Sequence, residues 1–171
     1  MVAPLVIVMG VTGAGKTTVG HALADSLKVD YADADAFHSE DNVAKMSAGE
    51  ALDDADREPW LHAIAAWLGA HATSGGVVSC SALKRSYRDV LRDRAPGAWF
   101  LYLEGPPDVA AARVSGREGH FMPVSLVAAQ YAALEPLTDD EPGLTVDFVA
   151  SAEHIVGRVL RVLAESQKEV V

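Results

Sequence analysis

Near the start of the chain stands Gly10-Val11-Thr12-Gly13-Ala14-Gly15-Lys16-Thr17, which meets the pattern GxxxxGK[ST] at every fixed position. Few octets constrain a fold as tightly. Its glycines let the backbone turn and aim N–H groups at an anion. The helix that must leave it adds the positive end of its dipole. A strand must therefore run into the loop and a helix must run out. Residues 5–9 form a short β-rich apolar run, and 17–27 carry Val19, Leu23 and Leu27 on one helical face, so both requirements are met. A chance glycine-rich turn would need neither neighbour. The motif predicts a nucleotide site in which Gly10, Thr12, Gly13, Ala14 and Gly15 cradle phosphates, Lys16 reaches the β and γ phosphates, and the Thr17 hydroxyl ligates Mg²⁺, without distinguishing a kinase from a GTPase switch or a motor. Thr18 is either a contact to the α-phosphate or a plain first-turn residue.

The rest of the chain alternates in the same way. Strands are predicted at 31–35, 77–80, 99–103 and 144–149. Helices are predicted from Pro59 onward, at 85–94, 108–117 and 124–134, and at the end through Ile155, Val156, Val159, Leu160 and Leu163. Such alternation implies parallel βαβ units, an α/β three-layer sandwich with helices on both faces. Ligands in such sheets sit beyond the C-terminal strand ends. The 171 residues fit one domain, 1–171. No apolar run approaches the ~20 residues of a membrane span. The first residues carry no basic region of a signal peptide, and the single cysteine, Cys80, leaves no internal disulfide, so a cytoplasmic location without membrane contact is expected. The net charge of −10 argues against a nucleic-acid partner. The six histidines show no zinc-site spacing. Cys80 reads as a small buried hydrophobe, and Trp60, Trp67 and Trp99 as core or interface residues.

Asp33 and Asp35 follow the second predicted strand two residues apart, so their side chains are expected on one side. One carboxylate would support Mg²⁺ and the other would accept a hydroxyl proton, as phosphoryl transfer to an alcohol requires. A polar turn with a helix cap is the alternative. Run 77–80 ends in Ser79-Cys80-Ser81 without the usual strand-end Asp, so Asp33 is the metal candidate beside Thr17, and Glu104 a weaker one. His38, Asn42, Lys45 and Arg57 then lie in one connection. Groups that donate and accept read hydroxyls, and Lys or Arg reads a carboxylate, so the set suits a polyhydroxylated acid.

On these segments the chain resembles the gluconokinase family of small P-loop kinases. The matching stretches are the phosphate loop, Asp33 to Asn42, Lys45-Met46, Asp56-Arg57 with Pro59-Trp60-Leu61, Cys80-Ser81-Ala82-Leu83-Lys84 with Tyr87-Arg88-Asp89, Gly119-His120-Phe121, and Gln130 with Leu134-Glu135-Pro136. The resemblance implies phosphorylation of D-gluconate at its 6-hydroxyl, a nucleoside-monophosphate-kinase-like sheet of five parallel strands in order 2-3-1-4-5, a mobile lid, and a homodimer. It departs from the family at Ala34, where glycine is usual, and at Ser39, where proline is usual.

Under that resemblance Lys16, Asp35 and Arg117 are the catalytic candidates, and Asp35, His38, Lys45, Arg57, Arg88, His120 and Gln130 the candidates for holding gluconate. Arg113 and Arg117, with Gly116, Gly119 and Pro123, predict a short basic lid at about 113–123. Arg117 is expected at the transferring phosphoryl group and Arg113 nearer the adenine or phosphates, against the alternative of two surface arginines. Other readings are a shikimate- or nucleoside-monophosphate-type kinase and a nucleotide switch. No Asn-Lys-x-Asp run supports a GTPase switch.

Overall fold

Every side chain of β1 (Leu5–Met9) is buried, which suits a strand flanked on both sides in a parallel sheet. The computed structural model describes residues 3–116 and 125–169. β1 lies between β3 (Gly76–Ser79) and β4 (Trp99–Glu104), with β2 (Asp30–Asp33) outside β3 and β5 (Gly143–Asp147) outside β4. The order is β2-β3-β1-β4-β5 and every pairing is parallel, as expected. The register sets Val8 and Asp33 both opposite Ser79, so the phosphate loop, Asp33 and Ser79 emerge at one edge.

Helices α1 (Lys16–Leu27) and α7 (Ala152–Lys168) pack together, as do α3 (Asp54–Ala70) and α4 (Arg85–Arg94). Between the sheet and these pairs lies one apolar core that includes Ile7, Leu23, Ile64, Leu68, Leu91, Phe100, Leu101 and Val159. Gly20 of α1 lies close against the sheet: a Cβ there would stand 2.5 Å from Ser79 Oγ and 2.7 Å from the Tyr31 ring.

Three boundaries differ from the sequence reading. β2 ends at Asp33, and residues Ala34–Phe37 form a 3₁₀ turn. A helix, α2 (Glu40–Ser47), occupies what read as an open connection. Helix α3 begins at Asp54, ahead of Pro59, because Asp53 and Asp56 form a reciprocal capping box: Asp53 Oδ1 accepts from Asp56 N at 2.7 Å and Asp56 Oδ2 accepts from Asp53 N at 3.1 Å. Pro59 thus sits in the second turn of the helix, where it removes the N–H that would bond to Ala55 O, and the helix runs on through it. α5 (Pro107–Ser115) and α6 (Ser125–Ala133) complete the chain.

Candidate active site

Thr12 to Thr18 wall one end of a cavity of about 730 Å³. Gly13 takes φ +85°, and a Cβ there would collide with the Ala110 carbonyl of α5. Only a glycine lets the loop lie that close. Gly10 does not line the cavity. It is buried beneath the loop, its N–H donating to Ser81 O at 3.2 Å, which ties the start of the turn to the segment after β3. Lys16 Nζ donates to Val11 O at 2.9 Å, across the loop it is expected to share with phosphates. Ser79 takes the strand-end place of the usual carboxylate. Its Oγ donates to Lys16 O at 2.9 Å and accepts from Tyr31 OH at 2.9 Å, which pins the first residue of α1.

Asp33 makes the turn cap that the sequence offered as the alternative, and it also stands beside Thr17. Its Oδ1 accepts from Asp35 N at 2.9 Å, capping the 3₁₀ turn, while its Oδ2 lies 3.5 Å from Thr17 Oγ1. The strand-alternation argument fails, because Asp35 is past the strand end. The turn nevertheless brings Asp33 and Asp35 to the same cavity wall. The Thr17 hydroxyl and Asp33 carboxylate are hard oxygens at the loop. They fit Mg²⁺, which is commonly held by one or two carboxylates, waters and substrate phosphates. No cluster of three His, Cys, Asp or Glu side chains suited to a metal occurs among the described residues.

At the other end the walls are Asp35, His38, Met46, Leu52, Arg57 and Trp60. Trp60 is fixed by donating Nε1–H to Ala34 O at 2.7 Å, and the His38 ring stacks on it at 4.3 Å and 8°. Burial first, and then the positive Arg57, push the His38 imidazole down to about 4, so it is neutral near pH 7. Arg57 Nη1 donates to Tyr87 OH at 3.1 Å, and that hydroxyl donates to Asp54. Neither departure from the family pattern disturbs this end. Ala34 needs no positive φ, and Ser39 caps α2 by accepting from Asn42 N at 3.2 Å.

Two residues expected at the acceptor lie away from the cavity. Arg88 is fully buried, with Nε 2.6 Å and Nη2 2.9 Å from the Glu141 carboxylate and Nη1 donating to Ala82 O and Glu135 O. It ties the β3–α4 turn to the segment after α6 and does not face the cavity. Lys45 Nζ sits 3.0 Å from both Asp56 oxygens, joins α2 to α3, and does not line the cavity either. Lys84 pairs with Asp54 at 3.3 Å. Gln130 does line the cavity, but its Oε1 accepts from Thr12 N at 2.7 Å, which ties it to the phosphate loop. Arg113 lies along the loop, with Nη1 3.3 Å from Gly13 O, Nη2 3.1 Å from Phe148 O, and its guanidinium 5.0 Å from the Phe148 ring centre. Arg117 and His120, and with them the centre of the expected lid, lie outside the described residues. Cys80 is buried, which pushes its thiol up to about 12, so it is an inert part of the core.

The sequence reading missed the wall beyond Arg113, made by Gly116 and residues 148–152. Val149 in that wall is 56% exposed, an apolar face turned to the cavity mouth. Its only sequence signal was position: it follows the last strand at the ligand-binding edge.

A phosphate loop, a hard-oxygen pair below it and a polar second compartment in the same cavity define a small-molecule kinase of the P-loop class. The family model for shikimate kinase matches residues 12–134. The gluconokinase of Gluconobacter oxydans is 43% identical, the match covering 91% of this chain and 88% of that protein. The thermoresistant gluconokinase of Escherichia coli is 37% identical over 94% of each. The crystal structure of a gluconokinase from Sinorhizobium meliloti superposes with a TM-score of 0.88 at 42% identity, covering 98% of this chain and 95% of that one. The chain belongs to the gluconokinase family.

Proposed function

We propose that this protein transfers the γ-phosphoryl group of ATP to the 6-hydroxyl of D-gluconate, giving 6-phospho-D-gluconate and ADP. The observation that carries the reading is a cavity of about 730 Å³ that has the phosphate loop at one end and Asp35, His38 and Arg57 at the other. Its volume lies within the ~300–1,000 Å³ usual for small-ligand sites. The hydroxyl oxygen forms a bond to the γ-phosphorus as the bond to the ADP oxygen breaks, and Asp35 accepts or orients the departing proton.

The described cation at the acceptor end is Arg57, the reader of the sugar-acid carboxylate, because Lys45, Lys84 and Arg88 are committed to carboxylates elsewhere. His38 and Gln130 complete the acceptor wall. Thr12 to Thr18 and Arg113 hold the nucleotide, whose base would cover Val149. Thr17 and Asp33 would hold Mg²⁺, which neutralises phosphate charge when bound. On its sequence alone, Arg117 remains the cation for the transferring phosphoryl group, carried by a lid at about 113–123 on a single domain. A homodimer, a cytoplasmic location and the absence of nucleic-acid or membrane partners complete the reading. Among the described residues no helix is long and apolar enough to cross a membrane.

The test is ADP release from Mg-ATP with gluconate, other sugar acids, glucose, shikimate, AMP and CMP as acceptors. Turnover with gluconate above all others is expected. Preference for shikimate or a nucleotide would overturn the acceptor assignment while leaving the nucleotide end intact.

A further inference from the structure

The acceptor compartment contains a hydrogen-bond chain that the catalytic reading leaves unused. His38 stands just before the Ser39 cap of α2, and Asn42 one turn into that helix. Asn42 is buried. Its Nδ2 donates to Asp56 O at 2.9 Å, across to α3. That bond fixes which way the amide is turned, since the opposite orientation would set two carbonyl oxygens face to face. The same Nδ2 lies 3.4 Å from His38 Nδ1. An amide nitrogen has only hydrogens to offer, so Nδ1 must accept and cannot carry a proton. A doubly protonated ring would oppose two N–H groups there. The stack on Trp60, itself anchored to Ala34 O, holds the plane of the ring, and within that plane a half-turn would put Cδ2 against the amide nitrogen and forfeit its bond to Nδ1.

We propose that Asn42 is a positioning residue that locks His38 in the tautomer carrying its proton on Nε2, so that His38 is a fixed hydrogen-bond donor to a hydroxyl of the acceptor. The inference rests on the gluconate reading for the identity of that hydroxyl's owner, and on geometry alone for the lock. It distinguishes His38 from Arg57: the arginine reads the acid's charge, and the histidine reads one oxygen of the polyol. Burial and the neighbouring Arg57 act in the same sense, disfavouring the imidazolium. A rigid neutral donor suits a hydroxyl better than a cation would, since it places no second positive charge beside Arg57.

The test begins with the ligand-free, full-length protein labelled with ¹⁵N. Long-range ¹H–¹⁵N correlation at neutral pH reads each ring nitrogen directly, and loss of signals in His38→Gln identifies the residue. The expected spectrum has His38 Nδ1 unprotonated and Nε2 protonated. A proton on Nδ1, or rapid averaging of the two tautomers, would overturn the lock without any variant having to fold. Asn42→Asp replaces the donor with an acceptor and is expected to move the proton to Nδ1. It should raise KM for gluconate about tenfold, the value of one ordinary hydrogen bond, with KM for ATP unchanged. An unaltered gluconate KM in a variant whose tautomer has switched would overturn the donor role. His38→Gln, whose amide N–H₂ lies near the place of Nε2, should bind gluconate better than His38→Asn, whose amide reaches only the place of Nδ1. The reverse order would also overturn it. If the wild-type protein shows the expected spectrum yet fails to phosphorylate gluconate, the lock stands and only the acceptor's identity falls.

Discussion

At the nucleotide end of the cavity the chain offers backbone, and at the acceptor end it offers side chains. The first is one contiguous stretch, Thr12 to Thr18, whose N–H groups and glycine turns are set by a single motif. The second gathers Asp35 from a 3₁₀ turn, His38 from the entry to α2, Met46 from α2, and Arg57 and Trp60 from α3. A backbone-built end tolerates little variation and advertises itself. In a side-chain-built end, what matters is which charged groups remain available once their neighbours have taken partners. That difference separates Arg57 from Arg88, two arginines equally plausible on sequence. One lines the cavity and the other is closed off against Glu141.

The largest test of this division falls on Asp35, where the two ends meet. Asp35→Asn keeps the shape and removes the carboxylate proposed to accept or orient the proton, so kcat should fall about 10²–10⁴-fold while ATP binding, measured by titration, persists. Turnover near the wild-type rate would remove Asp35 from the chemistry.

The arginine pair sharpens the comparison. Arg88→Met strands Glu141 in the interior and should cost about 3–5 kcal/mol of stability in denaturant unfolding. Burial pushes the Glu141 carboxyl up, but the hydrogen bonds from Arg88 and Thr138 outweigh it and the net direction is down. Its contribution is therefore full at neutral pH and is lost as pH falls through that depressed value. Arg57→Met should leave unfolding nearly unchanged and raise KM for gluconate about 10- to 100-fold, the loss of a charge-assisted contact. Exchanged phenotypes would mean that the two arginines have been assigned to the wrong ends.

The same contrast explains what could be read in advance. Parallel topology followed from the strand–helix alternation, and the phosphate loop from its octet. Asp33 and Asp35 were found for a reason that proved wrong, since a turn and not a strand presents Asp35. Helix α2 escaped notice because it is short, with Glu40, Asp41, Asn42 and Lys45 among its eight residues and little apolar period. Its cap, Ser39, was present in the sequence but was weighed only as a missing proline. The capping box of Asp53 and Asp56 was likewise legible, and Pro59 drew attention past it. No pattern in the sequence could show that Arg88 and Lys45 are neutralised, because Glu141 and Asp56 meet them only in the folded chain.

A smaller effect is expected from pH. With His38 held down to about 4, its protonation should not alter KM for gluconate as pH falls from neutral toward that value. The unfolded chain protonates the same ring near 6.5, so across this interval it takes up a proton that the folded chain refuses, and His38 makes stability decline as pH falls. Arg57→Met removes the lesser of the two causes and should move the ring's titration upward. An NMR titration of His38 that showed a value near 6.5 in the wild-type protein would contradict the buried, arginine-facing environment.

The smallest effect belongs to Ser39. Ser39→Ala removes the acceptor for Asn42 N and should cost about 1 kcal/mol in thermal unfolding, the usual value of a helix cap. What it does to gluconate binding matters more. Asn42 is held both by this cap and by its bond to Asp56 O. If the bond to α3 alone suffices, stability drops and KM for gluconate stays put. If KM rises with the loss of the cap, then the start of α2 belongs to the acceptor end as fully as the phosphate loop belongs to the nucleotide end, and serine here replaces by hydrogen bonding the rigidity that proline would supply through its ring.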